Sequence, residues 1–370
     1  KEVEIQQLEG TTEDKTILEV TVEEQSTGEL SIGAGFSSAE SFLFDFSIRQ
    51  RNFRGRGQDL RLGTRISNRR KEIDLSFTEP YLFDRPVVGG IDLFLQETEF
   101  EESNFEQSTL GTTLRTAFPV TEYIIASSRY TFRRDKVRSS FINRSPFLQS
   151  NLGTFTTSSV GYGVSYDTLN NRQNPSRGHR LVFNQDFAGL GGNVAYVRSR
   201  LSYNYYVPIF GRWIFNIEAE GGNIIGLGRD IRINDRFFLG NPRVRGFERA
   251  GIGPRDNITL DALGGNSYYK GSLELFVPLG AGARELGIEA SAFVDVGALW
   301  TIDDPNSLLN STTGVTHSVI GDTPSPRVSA GIGFSWQSPF GPFRLDFAKA
   351  ILKEDADETE FFQFNIGTRF

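Results

Sequence analysis

The feature that most constrains this chain is a two-residue alternation of apolar and polar side chains that begins near Leu30 and keeps returning to the C-terminus. Successive side chains of an extended strand point to opposite faces, so the pattern describes ribbons with one apolar face. The clearest case is Phe42, Phe44, Phe46 and Ile48, with Ser41, Leu43, Asp45 and Ser47 between them. Leu60/Leu62/Thr64/Ile66, Ile73/Leu75/Phe77, Ile91/Leu93/Leu95, Leu273/Leu275/Val277, Val328/Ala330/Ile332/Phe334 and Phe362/Phe364/Ile366 repeat it. Each segment runs for roughly ten residues, the length of a tilted strand that crosses a bilayer. Counting segments up to Phe370 yields about 16 strands, an even number of the kind single-chain bacterial barrels use. No run approaches the roughly eighteen apolar residues of a membrane helix. The expected fold is therefore all-β, a transmembrane antiparallel β-barrel.

The connectors supply a topology. Pro-containing turns recur at every second connection: Glu79-Pro80-Tyr81, Phe118-Pro119-Val120, Asn174-Pro175-Ser176, Val207-Pro208-Ile209, Val277-Pro278-Leu279 and Ser338-Pro339-Phe340. Proline presets turn geometry and cannot donate within a sheet, so these are expected to be tight turns on the periplasmic side. Longer connectors near 138–155, 224–267 and 301–324 alternate with them and are expected to be extracellular loops. Trp213 and Trp336 fall beside the Pro-bearing turns and Trp300 at the opposite end of its strand, as interfacial aromatics do.

A soluble β-sandwich would share the alternation, but across 370 residues it would divide into domains with linkers, and no composition break interrupts this pattern. With 32 Phe and 39 Gly the chain suits strands that are greasy on one side and small or polar on the other. The absence of Cys removes disulfides, thiolate metal sites and cysteine nucleophiles. Two histidines, His179 and His317, are too few for an imidazole metal cluster. The net charge of −7 and the lack of a basic run argue against nucleic acid as a partner. No zinc-binding His-Glu helix, phosphate loop or nucleophile elbow is present. No catalytic residue, metal site or cofactor is expected, and the chain reads as a non-enzyme. Asn257-Ile258-Thr259 and Asn310-Ser311-Thr312 match the short glycosylation pattern, which would carry no weight if the expected barrel sits in a bacterial outer membrane.

Residues 1–26 differ from the rest. Val3-Glu4-Ile5 and Lys15 to Glu24 read as two short soluble strands separated by a polar turn around Gly10–Asp14. They are too few to bury a core and read as the tail of a soluble domain cut off upstream, or else as a periplasmic extension. Lys1 in place of Met fits a fragment of a longer protein.

The longest loop, 224–267, holds Val244-Arg245-Gly246-Phe247 between Asn241-Pro242-Arg243 and Gly251-Ile252-Gly253-Pro254. Its glycines permit tight turns, so it is expected to fold back inward. If Leu273, Leu275 and Val277 face lipid, Glu274 faces the lumen; if Ala292, Val294 and Val296 face lipid, Asp295 likewise faces the lumen. Two neighbouring interior carboxylates form a receptor for a guanidinium fork, or simply part of a polar lumen. At the other end of the sheet, Leu30, Ile32, Ala34 and Phe36 alternate with Ser31, Gly33, Gly35 and Ser37, so the inward face of the first strand is almost bare. The last strand carries Asn365, Gly367 and the terminal Phe370, and a bend at Gly367 would remove ladder bonds from the seam; alternatively Gly367 only relieves crowding.

Val244-Arg245-Gly246-Phe247, Asn266-Ser267-Tyr268-Tyr269, Ser272-Leu273-Glu274, Phe293-Val294-Asp295-Val296-Gly297 and the ending from Phe362 to Phe370 together resemble the outer-membrane assembly-factor superfamily, over essentially the whole chain. The loop motif alone is shared with related secretion transporters; its combination with the C-terminal strand is more specific. The resemblance implies that Arg245 is anchored to Glu274 and Asp295. It also implies that residues 1–26 are the C-terminal remnant of a POTRA domain preceding a barrel at 27–370. It further implies a bacterial outer-membrane location with both termini periplasmic, and partners comprising nascent outer-membrane proteins, accessory outer-membrane lipoproteins and the lipid bilayer. The implied function is folding and insertion of β-barrel proteins through a weak seam between first and last strands. The alternative is a secretion transporter passing an unfolded polypeptide through the lumen; a diffusion porin is a further class.

Overall fold

In the computed structural model, residues 2–9, 16–23, 27–38, 40–139, 145–303, 307–310, 314–338 and 341–367 are described. The alternating segments become sixteen antiparallel strands that close into a barrel. They are β1 Gly28–Ser37, β2 Ser41–Phe53, β3 Gln58–Ser67, β4 Arg70–Glu79, β5 Val88–Phe100, β6 Phe105–Pro119, β7 Ile124–Arg138 and β8 Gly153–Asp167. There follow β9 Gly178–Gly192, β10 Tyr196–Phe210, β11 Trp213–Gly226, β12 Ser267–Val277, β13 Ile288–Trp300, β14 Arg327–Ser338, β15 Gly341–Leu352 and β16 Phe362–Ile366. Every strand pairs with its neighbour in sequence, and β16 returns to β1.

The side chains divide as the two-residue period demands. Phe42, Phe44, Phe46 and Ile48 on β2, Leu93 and Leu95 on β5, and Ile332 and Phe334 on β14 all stand exposed on the outer face. The inward positions are polar and ion-paired: Arg65 with Asp45 at 3.1 Å, Arg115 with Asp92 at 2.8 Å and Arg129 with Asp186 at 2.7 Å. With an apolar exterior and a charged lumen, the barrel wall has no core of its own. The buried apolar cluster sits instead at the loop end, where Leu148, Ile233, Phe237, Leu239, Val244, Phe247 and Ile252 pack against Phe105, Tyr196 and Leu299 of the wall.

The turns at the opposite end depart from the expected proline pattern. β2 and β3 are joined without proline, through Gly55 and Gly57 at φ +73° and +71°, with the Gly57 amide donating to Asn52 Oδ1 at 2.6 Å. Pro208 lies inside β10, and the register shifts between it and Phe210, because a residue with no amide proton cannot continue the ladder. Pro175 and Pro278 fall in the longer connectors 168–177 and 278–287 rather than in tight turns. Pro339 and Phe340 lie outside the described residues.

Ahead of the barrel, Glu2–Glu9 and Thr16–Glu23 form a two-stranded antiparallel hairpin. Ile5, Ile17, Leu18 and Val20 are exposed on it, as follows when two strands have no third layer to cover them.

Candidate functional site

Inside the barrel, loop 227–266 descends from β11 and places Arg245 against β12 and β13. Strand parity aims the receptors: Leu273 and Val294 face out, and Glu274 and Asp295 are buried on the inner face. Arg245 Nε donates to Asp295 Oδ2 and Nη2 to Asp295 Oδ1, both at 2.7 Å, a bidentate fork on one carboxylate. The Arg245 backbone amide also donates to Asp295 Oδ2 at 3.0 Å. Nη1 reaches Glu274 Oε2 at 3.2 Å and Nη2 the Ser272 hydroxyl at 3.0 Å. The guanidinium carbon lies 3.4 Å from the centroid of the Phe293 ring, a stacked cation–π contact.

The residues flanking Arg245 hold it there for separable reasons. Val244 is fully buried, and a Cβ added at Gly297 would lie 3.0 Å from both Val244 and Leu239, so β13 admits the loop only where it carries no side chain. Gly246 sits at φ +86°, a conformation that favours glycine, with β14 and β15 close behind: a Cβ would stand 3.0 Å from that of Ser329 and 3.3 Å from that of Ala348. The Ser329 hydroxyl donates to the Arg245 carbonyl. Phe247 is fully buried in the cluster at the barrel mouth.

Sequence reasoning missed the second cation of this network. Arg344 on β15 donates to Glu274 Oε1 at 2.9 Å and pairs with Asp346 at 2.9 Å. The Ser291 hydroxyl donates to Glu274 Oε1 at 2.6 Å. The signal was available, because Arg344 and Asp346 alternate with outward-facing Leu345 and Phe347. What no periodicity conveys is that β12, β13 and β15 all face the same loop.

The loop also reaches the seam. On the β16 side, the Gln363 amide donates to the Phe247 carbonyl at 3.2 Å and the Glu360 backbone amide to the Gly246 carbonyl at 3.2 Å. Glu248 N donates to Glu358 O and Glu358 N to Gly251 O, both at 3.0 Å. On the β1 side stands an ion pair, Arg249 with Glu40 at 3.5 Å. Behind the seam lies a cavity of about 500 Å³ lined by Ser37, Glu40, Arg245, Arg249, Gln363 and Asn365, among others.

The seam itself is short. β1 pairs with β2 at ten positions, from Gly28↔Gln50 to Ser37↔Ser41, whereas among the described residues β16 meets β1 at two, Asn365↔Ser37 and Ile366↔Phe36. The Ser38 amide donates to the Phe364 carbonyl at 3.1 Å, and the Phe36 and Phe364 rings stack at 5.4 Å. Leu30 and Ile32 are 63% and 76% exposed, and they and Gly33 lie on a stretch of β1 that has no partner on that side among the described residues. Gly367 has φ +113°, and a Cβ there would fall 2.5 Å from Gly35 Cα and 2.6 Å from the Ala34 carbonyl oxygen. The bend and the close approach are therefore both present at Gly367. Phe370 lies outside the described residues.

Among the outer loops, Asp256 accepts from the Ser145 hydroxyl at 2.6 Å and stands 2.8 Å from His317 Nδ1. The carboxylate is central and stitches three loops together; this is not the order of a nucleophile, a base and an orienting acid. Burial raises the Asp256 carboxyl, but hydrogen bonds from Ser145, the Ile258 amide, His317 and the Thr259 amide outweigh it and hold it below the ordinary aspartate value.

The geometry, a closed barrel with an anchored inner loop and a short seam, has relatives. The outer membrane protein assembly factor BamA of Neorickettsia risticii (strain Illinois) is 30% identical over 358 residues, covering 96% of this chain and 46% of that protein. The protein of the same name from Neisseria meningitidis serogroup B is 27% identical, covering 97% of this chain and 49% of its own length. The chain thus spans about half the length of these curated relatives. In fold it is similar to the crystal structure of BamA from Haemophilus ducreyi lacking POTRA domains 1–3, with a TM-score of 0.84 at 23% identity, covering 100% of this chain and 75% of that one. The sequence model of the Omp85 superfamily domain matches residues 52–370, and the chain belongs to the Omp85 superfamily.

Proposed function

We propose that this chain is the barrel of a bacterial outer-membrane factor that folds and inserts other β-barrel proteins, using the seam between β1 and β16 as the place of entry. The observation that carries the reading is that, among the described residues, those strands pair at two positions in a barrel whose other neighbours pair along five positions or more. At about 0.5–1.5 kcal/mol net per hydrogen bond, parting so short a seam costs only a few kcal/mol. Among the described residues that edge of β1 is unpaired along much of its length, so opening the seam adds little to it. In lipid such an edge has no water to satisfy it, so an incoming strand that pairs with it gains bonds the bilayer cannot supply.

In this reading Arg245, fixed by Asp295 and Glu274, holds loop 227–266 in the lumen as a positioning device, and no covalent chemistry is involved. Both termini face the periplasm, residues 1–26 are the end of a POTRA domain, and accessory outer-membrane lipoproteins join the full-length protein. The names of the relatives support the assembly role. The loop anchored across the lumen favours passage at the seam over passage of an unfolded chain through the centre. The test uses the absence of Cys from these 370 residues, any Cys elsewhere in the full-length protein being replaced by Ser. In the full-length protein with its partners, Ser37→Cys and Asn365→Cys are oxidised together, and insertion of a client porin into vesicles is followed. Insertion should stop on oxidation and return with reductant; unimpaired insertion through a locked seam would refute the mechanism.

A further inference from the structure

The outer face of β7 changes chemistry along its length. From the turn end it presents Tyr130 and Phe132, both exposed, and then Arg134, Lys136 and Arg138, also exposed. Arg133 and Asp135, of opposite parity, point inward, where Arg133 pairs with Asp135 and with Asp235 of the inner loop. The three outward cations therefore play no part in holding that loop. None of them forms an ion pair among the described residues.

Their height on the barrel is set by strand geometry. A strand tilted by about 40° climbs roughly 2.5 Å along the barrel axis per residue, so a position ten residues after Ile124 stands about 25 Å above the turn end, the thickness of the apolar band of an outer-membrane barrel. Arg134 lies at that edge, with outward-facing Leu110 directly opposite on β6. Lys136 and Arg138 rise beyond it. On β8 the residues opposite Arg134 and Lys136 are Thr156 and Thr154, hydroxyl donors without charge. The nearest carboxylates are Glu106, opposite Arg138, and Glu97, separated from Lys136 by Ser108. Elsewhere at this end the outward side chains include exposed Leu190 and Ile225, so the cations are a local feature and not a ring.

The geometry points to a docking surface for an anionic phosphorylated lipid headgroup on the outer face of β7 and β8, with Arg134 and Lys136 as its principal ligands, Arg138 beside them and Thr154 and Thr156 as hydroxyl donors. Three cations in a row just above an apolar band match a phosphate tethered to acyl chains that lie against Phe132, Leu110 and Tyr130. This surface does not depend on what passes the seam. It would fix one lipid at the flank of the barrel away from β1 and β16.

The test is lipid retention by the full-length protein in nonionic detergent, read by native mass spectrometry after addition of phosphatidylglycerol or of zwitterionic phosphatidylcholine. Each cation is worth roughly a factor of five in affinity for an anionic surface, so R134Q/K136Q/R138Q should lower phosphatidylglycerol affinity about a hundred-fold. K349Q/K353Q, which removes exposed lysines near β15, should leave it unchanged. Heat-modifiable migration of each variant verifies its fold. Equal retention by the triple variant and the wild type, equal loss in the lysine control, or equal binding of phosphatidylcholine by the wild type would each overturn the assignment. If the triple variant does not fold, the conservative R134K/R138K variant decides it by retaining the lipid with an undiminished salt dependence; loss of phosphatidylglycerol by this folded variant would overturn it.

Discussion

Replacing Arg245 by Ala isolates the interaction on which the inner loop depends. Asp295 is 1% exposed and would lose both side-chain bonds of the fork, keeping only the backbone amide of residue 245 and the Ser272 hydroxyl, which donates to it at 2.6 Å. Glu274 suffers less, because Arg344 and Ser291 still donate to it. The loss is thus that of one buried carboxylate deprived of its cation, about 3–5 kcal/mol. Arg245→Lys keeps the charge but not the fork and should cost less, about 1–2 kcal/mol. Adding Asp295→Asn to Arg245→Ala removes the stranded charge, so the double variant should be more stable than the sum of the singles by about 2 kcal/mol. The assay is urea unfolding of the full-length protein in detergent, followed by tryptophan fluorescence, with trypsin sensitivity of the Arg243 and Arg249 bonds reporting loop release. An Arg245→Ala protein within about 0.5 kcal/mol of wild type, the threshold for an ordinary surface substitution, and with a protease-resistant loop, would refute the anchoring argument.

Three further outcomes follow from the same contacts. Gly367→Ala forces a Cβ to within 2.5 Å of Gly35 at φ +113°, so it should part β16 from β1 at a cost of about 1–3 kcal/mol and slow oxidation of a Ser37→Cys/Asn365→Cys pair; an unchanged rate contradicts this. Arg249→Ala removes the ion pair between the loop and the β1–β2 turn while the contacts to β16 remain, so the loop should travel with β16. For a partly exposed pair the gain in open seam is about two- to five-fold, measured by spin-label distances across it, and no shift in that distribution contradicts the role. Asp256→Asn should loosen the outer loops at neutral pH. Because the folded Asp256 carboxyl is held below its usual value of 3.8, its contribution is present above that value and is lost as pH falls through the depressed one. The stability gap between variant and wild type should therefore close in acid; a gap constant with pH would show that the carboxylate charge is not involved.

How much of this was legible in the sequence depends on the range of the interaction. The outward set Phe42, Phe44, Phe46 and Ile48 was readable because parity is local, and the same parity aimed Glu274 and Asp295 inward. The proline turns were read less well: Pro208 sits within a strand and the first short turn uses glycine, since several residue types satisfy a turn equally. Arg344 and Asp346 were visible as inward residues but not as members of the Arg245 network.

By itself, then, the sequence determined the number of strands, the apolar exterior, the charged lumen and the place of the long inner loop, because each follows from a two-residue period and its interruptions. Only the tertiary structure decided how β1 meets β16, where the apolar cluster gathers, and which carboxylates converge on Arg245. These depend on the register of strands far apart in the chain, and a strand's periodicity states which way its side chains face without stating which partner they will meet.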